Sequence, residues 1–337
     1  MIVLWGVPGD GPLDAIHACL VRIGADFRLL DQRDAARSDA TMRIERRSLV
    51  LAIEGARKAD RLDFKHVGAA YLRPIETERA LPPDLAGDRA ARVRADGVDR
   101  TLIAWADLTT ALAINPPAAM AVNNSKPYQL RLVAQYGFAV PDTLVTTDPA
   151  AVRAFAARHG RLIYKSVSGT RSIVNVLAEA EQERLEDVAN APTQFQAYVP
   201  GFDVRVHVVG DEVFASEVKS DAHDYRYASL SGNDVELAAT TVSAGIADRC
   251  RAMVAGMGLA VAGIDLRHTP DGRWFCFEVN PSPAFVYYEE ATGQPIGQAI
   301  ADLLIRADRA RVGRGRGMHG TGRRATVELS TAPPSTC

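Results

Sequence analysis

Cysteine is scarce in this chain: four in 337 residues, at Cys19, Cys250, Cys276 and Cys337, with no CxxC pair among them. That excludes a disulfide frame or a cysteine-built zinc site and points to reduced thiols in a cytoplasmic protein. Long apolar runs are missing too. No stretch reaches the ~18 residues that a membrane-spanning helix needs, and the opening MIVLWG lacks the basic segment and apolar core of a signal peptide. No membrane partner is expected. Nor is there an excess of charge of either sign. A net charge of −2 gives no electrostatic reason to expect nucleic acid. No internal repeat is visible. What is present is an ordinary globular composition, 47% hydrophobic and 24% charged, in a chain long enough for two or three domains.

The pattern along the chain predicts an α/β (α+β) protein. Residues 1–5, 13–23 and 26–30 read as strand, helix and strand, with Gly24 at the helix end. Residues 41–52 read as one strand, 67–72 as a buried strand and 92–113 as a long helix. A Pro-rich crossing segment, INPPAAMAVNN, follows. Ser125 then caps a helix to Tyr136, and 144–146, 149–159, 161–167 and 173–177 alternate strand and helix. From Thr193 the pattern changes to successive strands at 194–199, 203–209 and 212–219, with Gly210-Asp211 as a hairpin turn. A polar loop spans 221–234, a helix 244–257 and a closing helix 296–306. The Gly/Arg-rich and then Ser/Thr/Pro-rich end reads as a disordered tail.

The most informative stretch is GIDLRHTPDGRWFCFEVNPSPAFVYYEE, residues 263–290. Thr269-Pro270-Asp271-Gly272 is a turn signal between two strands. Strand alternation puts Glu278 and Asn280 on one face, and Asp265 can lie opposite them in the hairpin. Three oxygen-bearing side chains on a rigid scaffold suit Mg²⁺, which completes its shell with water and substrate phosphates. Elsewhere, Gly6, Gly9 and Gly11 follow a strand in the spacing G-x-x-G-x-G, with Pro8 and Pro12 between, so a structural βα turn is favoured over a dinucleotide cradle. Lys165 lies in an apolar strand before a small polar loop that includes Ser168 and Gly169. It is either a phosphate ligand or an edge-strand lysine that reaches solvent. Strand, break and strand over QAYVPGFDVR suits an adenine hinge at Gln196–Val199, with Asp203 placed for the ribose; a plain hairpin is the alternative. Arg205, Lys219 and Arg226 could clamp a transferring phosphoryl group. His223 and Asp224 read as a solvated loop. Arg73 either pairs a substrate carboxylate or is structural.

The order Lys126, Lys165, Gln196-x-x-Val199-x-x-x-Asp203, Lys219, Asp265, Glu278-x-Asn280 resembles the ATP-grasp superfamily. Within it, the resemblance is to the branch of ribosomal-protein S6 glutamate ligases and ATP-grasp peptide maturases. It is carried by NSKPYQLRLVAQYGFAVPDT, QAYVPGFDVRVHVVGDEV and FEVNPSP and covers about residues 115–305. Two positions depart from the family pattern: the loop KSVSGTRS is poorer in glycine, and Ala197 stands where an acid is frequent. The resemblance implies a pre-ATP-grasp domain over 1–113 and an N-subdomain over 114–192. A C-subdomain over 193–308 and the tail at 309–337 complete the division. It implies that Lys126, Lys165, Ser168 and Gly169 contact ATP phosphates. Gln196, Ala197, Tyr198 and Val199 hold adenine, and Asp203 holds ribose. Asp265, Glu278 and Asn280 carry two Mg²⁺. The implied activity joins a carboxylate to an amine through an acyl phosphate, with Arg205, Lys219 and Arg226 stabilising charge. Small-molecule or peptide substrates are the expected partners, and self-association into a homo-oligomer is left open. A non-catalytic nucleotide-binding protein and a kinase are the alternatives.

Overall fold

The computed structural model describes residues 1–46, 48–55, 61–167, 174–178, 181, 183–220 and 235–317. The predicted opening is present as β1 (Ile2–Gly6), α1 (Gly11–Ile23) and β2 (Phe27–Asp31). β1 is buried along its whole length. It pairs in parallel with β2 and with β6 (Ala69–Arg73), and β7 (Leu112–Ile114) adds to β6, giving the order β2-β1-β6-β7. Strands covered on both faces read as unbroken apolar runs, as IVLWG and AAYL do. α1 starts where the Asp10 side chain accepts the Leu13 N–H. It ends at Gly24, whose φ of 70° lets its N–H return to the Leu20 and Val21 carbonyls.

Three sequence expectations in this part are corrected. Residues 41–52 are not one strand. They belong to the hairpin β3 (Asp39–Glu45) and β4 (Ser48–Glu54), with β5 (Arg61–Asp63) beside it. The turn after Glu45 carries neither glycine nor proline, so composition does not mark it. After the single turn α2 (Thr77–Ala80), the long helix α3 spans Arg89–Leu108 and stops at Thr109. Thr109 and Thr110 are β-branched and favour extended backbone, and the apolar residues beyond them form β7. Lastly, the closing helix does not stop near Arg306.

α4 (Pro117–Met120) and α5 (Lys126–Ala134) lead into β8 (Thr143–Thr146), α6 (Pro149–His159), β9 (Leu162–Ser166), β10 (Asn175–Val176) and β11 (Thr193–Ala197). These strands form an antiparallel sheet in the order β10-β9-β11-β8. One face packs Val152, Leu185 and Phe195 into a small core. The other carries Lys165, Gln194 and Gln196, as period-2 alternation requires.

The last sheet holds β12 (Phe202–Val209), β13 (Glu212–Ser220), β14 (Val235–Thr240), β15 (Val261–His268) and β16 (Trp274–Asn280), in the order β14-β13-β12-β15-β16. Helix α7 (Ala244–Gly256) covers one face, with Ile246, Cys250 and Met253 against Val204, Val206, Ile264 and Val279. Burial raises the pKa of the Cys250 thiol to about 12 and holds that of Cys276 well above its ordinary value. Cys19, Cys250 and Cys276 are all free and buried. The opposite face meets α8 (Val286–Thr292) and α9 (Ile296–Gly317) at one end. α9 runs eleven residues past the predicted end, and Ala307 and Ala310, good helix formers, lie in the first turn beyond it. Asp308 within it holds the amino group of Met1 at 2.6 Å. Ile296, Ile300 and Leu304 share one core with Ile2, Leu4, Leu13 and Ile16, so the last described helix closes on the opening βα unit. Residues 318–337 of the expected tail lie outside the described residues.

Candidate active site

The β15–β16 hairpin begins from its turn in regular register, with His268 opposite Trp274, Arg267 opposite Phe275 and Leu266 opposite Cys276. Continued unchanged, that register would set Phe277 against Asp265 and turn Glu278 and Asn280 to the wrong face. A β-bulge intervenes. Phe277 is the extra residue, and beyond it Asp265 lies opposite Glu278, Ile264 opposite Val279 and Gly263 opposite Asn280. The bulge brings the three oxygen side chains to one face. Among the described residues no group of three or more His, Cys, Asp or Glu side chains is placed to hold a metal ion. The hairpin offers two carboxylates and an amide oxygen, and the Asn280 Oδ1 also accepts the Ser282 N–H at 2.9 Å. An all-oxygen, incomplete set of this kind fits a cation that keeps water and substrate oxygens in its shell.

Two cations from separate elements reach these carboxylates. Arg205 on β12 is 5% exposed, and its Nη1 donates to Asp265 Oδ1 at 2.7 Å. Its guanidinium lies across Gly263: a Cβ added there would overlap Nη2 and lie 2.5 Å from Cζ. Tyr288 of α8 closes the slot, with the guanidinium carbon 5.5 Å from its ring centroid. Lys126 is the first residue of α5, behind the cap at Ser125, and is buried; its Nζ lies 3.3 Å from Glu278 Oε1. The capped helix start thus holds this lysine against the hairpin. Asp265, Glu278, Arg205 and Lys126 therefore form one cluster, in which each charge has an opposite partner, as burial demands.

Lys219 does not join it. From the Gly210-Asp211 turn, Arg205 pairs with Ser216, so Lys219, three residues further, projects from the opposite face. Its side chain is 57% exposed, 3.8 Å from Glu236. The expectation that Lys219 clamps phosphate is corrected on that ground. Arg226, His223, Asp224, Ser168, Gly169 and Arg171 lie outside the described residues.

In the sheet of β8 to β11, Lys165 is buried on β9 opposite Gln194 of β11. β11 is an interior strand, so Gln196 is not at a sheet edge as the hinge reading assumed: it pairs with Thr143 on one side and Ile163 on the other. The Ala197 N–H bonds the Asp142 carbonyl and the Tyr198 N–H bonds that of Arg161. The chain leaves the sheet at Tyr198–Val199. There the Val199 carbonyl accepts from Arg267 Nη1 at 2.8 Å, and Arg267 also grips both oxygens of Asp203, at 2.7 and 2.8 Å. Gln194 is fully buried, yet among the described residues its Oε1 and Nε2 have no hydrogen-bond partner, and neither has Gln196 Oε1. Orphaned amides beside a buried lysine are the groups a nucleotide would satisfy.

Of the two readings of Arg73, the contacts favour the structural one, and Asn115 and His207 join it without a sequence signal. Arg73 is structural: it pairs both oxygens of Asp10, at 2.8 and 2.9 Å, and its Nη1 donates to Ser282 Oγ at 2.6 Å. It thus ties the first βα loop to the residues that follow Asn280. Buried Asn115 bonds the backbone of Ala260, Val261 and Pro281. Buried His207 stands next to Arg205 on the same face, its ring 4.9 Å from that of Tyr288. Burial, then the charge of Arg205, pushes its pKa well below the ordinary value. Residues 286–289 open helix α8.

Comparison with known proteins bears on the family of the chain. The model of the RimK-like ATP-grasp domain matches residues 123–304. A protein of Sodalis glossinidius named "Probable alpha-L-glutamate ligase" is 33% identical over 214 residues, covering 59% of this chain and 69% of its own. One of the same name from Shewanella loihica is 27% identical over 223 residues, covering 60% and 70%. Among solved structures, the ATP-grasp ligase PsnB, complexed with a phosphomimetic variant of a minimal precursor, Mg and ADP, superposes with a TM-score of 0.74 at 27% identity. That likeness covers 91% of this chain and 98% of PsnB. The macrocyclase MdnC of Microcystis aeruginosa, bound with precursor peptide MdnA, shares the fold at a TM-score of 0.75 and 19% identity, over 90% and 99% of the two chains. No helix among the described residues is long and apolar enough to cross a membrane. With a family match over more than half its length, the chain belongs to the RimK-like ATP-grasp family and is an ATP-dependent ligase.

Proposed function

We propose that the chain joins a carboxylate to an amine through an acyl phosphate, with a peptide as carrier of the reacting carboxylate. The observation that carries the reaction is the convergence of Lys126 and Arg205 on Glu278 and Asp265 across one pair of strands. In the reaction, a carboxylate oxygen attacks the γ-phosphorus of ATP and the bond to ADP breaks. The amine then attacks the acyl carbon and phosphate leaves, with one proton passing to solvent. Arg205, held in its slot by Gly263, Asp265 and Tyr288, stabilises the charge that develops on the phosphoryl and then the acyl oxygen. Lys126 and Lys165 orient the phosphates. Val199 supplies the hinge N–H to adenine, Gln194 and Gln196 complete the buried polar lining, and Asp203 meets the ribose while Arg267 fixes it. Asp265, Glu278 and Asn280 would hold two Mg²⁺, which when bound neutralise phosphate charge. Positioning and electrostatics supply most of the rate, with no protein nucleophile needed.

The peptide substrate is favoured because the likeness to PsnB, whose structure contains a precursor, extends over 91% of this chain and so includes the first domain. The assay is ATP, Mg²⁺, acidic peptides and hydroxylamine, which captures an acyl phosphate as a hydroxamate. Wild type forms ADP and hydroxamate, and Asp265→Ala, Glu278→Ala and Asn280→Ala form neither. ADP production that survives in Glu278→Ala refutes the metal assignment, and a stable phosphorylated peptide in place of hydroxamate makes the protein a kinase.

A further inference from the structure

We propose that Gln129 is a positioning residue for the metal-binding edge of the last sheet; this rests on the reading that Asp265, Glu278 and Asn280 hold Mg²⁺. β16 is the outermost strand, so its outward N–H and C=O groups need partners from outside the sheet. Near the turn, Ala139 supplies them, accepting from the Cys276 N–H at 2.9 Å and donating to the Trp274 carbonyl at 3.0 Å. Near the metal side chains a single side chain takes over. Gln129 Nε2 donates to the Val279 carbonyl at 2.8 Å, and its Oε1 accepts the Val279 N–H at 2.9 Å. The amide of Gln129 replaces the peptide group of a missing neighbouring strand.

The residue it grips is the one between Glu278 and Asn280. The Val279 side chain is locked in the core on the opposite face. With its peptide groups held at the edge as well, the strand cannot roll about its axis. Rolling is the motion that would carry Glu278 and Asn280 off the face they share with Asp265. Gln129 is also three residues along α5 from Lys126, on the same side of the helix. One short helix therefore sets both the strand and the distance from a phosphate-side lysine to a metal-side carboxylate, 3.3 Å. Gln129 is 2% exposed, and among the described residues its amide bonds Val279 and, at 3.4 Å, Asn123 Oδ1, so it acts through β16.

The test is Mn²⁺ binding in the presence of ADP, read from the free-ion electron paramagnetic resonance signal, on wild type, Gln129→Met, Gln129→Glu and Glu278→Ala, beside melting of the metal-free proteins. Loss of a group that orients metal ligands typically weakens metal binding about 10–100-fold, and that is the shift expected for Gln129→Met. Gln129→Glu keeps the acceptor for the Val279 N–H and is expected to fall between Met and wild type; it also serves if Gln129→Met does not fold. A lowered melting temperature with a wild-type Mn²⁺ constant in both Gln129 variants overturns the proposal and leaves Gln129 a scaffold residue. If Glu278→Ala binds Mn²⁺ as wild type does, the metal reading itself fails and takes the proposal with it.

Discussion

Adding one methyl group at Gly263 should disable the site from below. The Cβ of Gly263→Ala would overlap the guanidinium of Arg205, with Cζ only 2.5 Å away. Arg205 is boxed in by Tyr288 and by its bond to Asp265, so it cannot move aside without leaving the carboxylate. Separating a buried ion pair costs about 3–5 kcal/mol. At ~2–4 °C per kcal/mol for a large domain, melting should fall by roughly 6–20 °C. Loss of a preorganised charge donor typically costs 10²–10³-fold in turnover, about 3–4 kcal/mol, so the ADP-forming rate should fall by about that factor. A methyl of the same size at Gly97, in mid-helix of α3 with nothing within 4 Å of the added Cβ, should instead stabilise by about 0.5–1 kcal/mol. The decisive measurement is a double-mutant cycle. In an Arg205→Met background the methyl meets a flexible uncharged chain, so Gly263→Ala should add little further loss. Additive losses in the double mutant would refute the overlap as the cause, as would wild-type melting and turnover in Gly263→Ala alone.

Other outcomes follow from the same geometry. Lys219→Met should leave turnover within about twofold, since the residue projects from the far face and an exposed ion pair contributes about 0–1 kcal/mol; a loss of a hundredfold would put Lys219 back in the site. His207 predicts an acid-sensitive fold. Its pKa is depressed in the folded state, so the unfolded chain binds the extra proton, and stability is complete above pH ~6.5 and falls as pH drops below it, by at most about 1.4 kcal/mol per pH unit. Melting scans from pH 7.5 to 5 should show a shallower slope in His207→Phe than in wild type; equal slopes would remove His207 as the source.

Much of this was legible in the residues. Glu278 and Asn280 share a face because they are two apart in a strand, and the Thr269–Gly272 turn announced the hairpin. Ser125 declared the start of the helix that presents Lys126. The misplacement of Lys219 was avoidable: a two-residue turn at Gly210-Asp211 fixes the pairing of Arg205 with Ser216, and counting on three residues turns Lys219 away. The hinge was mis-set for a different reason. Gln196 looks the same in sequence at a sheet edge or inside one, and only the arrival of β8 from fifty residues earlier makes β11 interior.

The sequence alone determined which groups are available: two carboxylates and an amide on one hairpin, two lysines ahead of it, and a strand–break–strand segment between them. Periodicity is local, and it carries that much. Tertiary structure decided which of those groups meet. The bulge at Phe277 reverses the facing that regular pairing would give Glu278 and Asn280, and Gly263 matters only because Arg205 from another strand lies over it. Gln129 counts only because α5 comes to rest against an edge strand 150 residues away in the chain. Those outcomes depend on packing between distant segments, which no window along the chain contains.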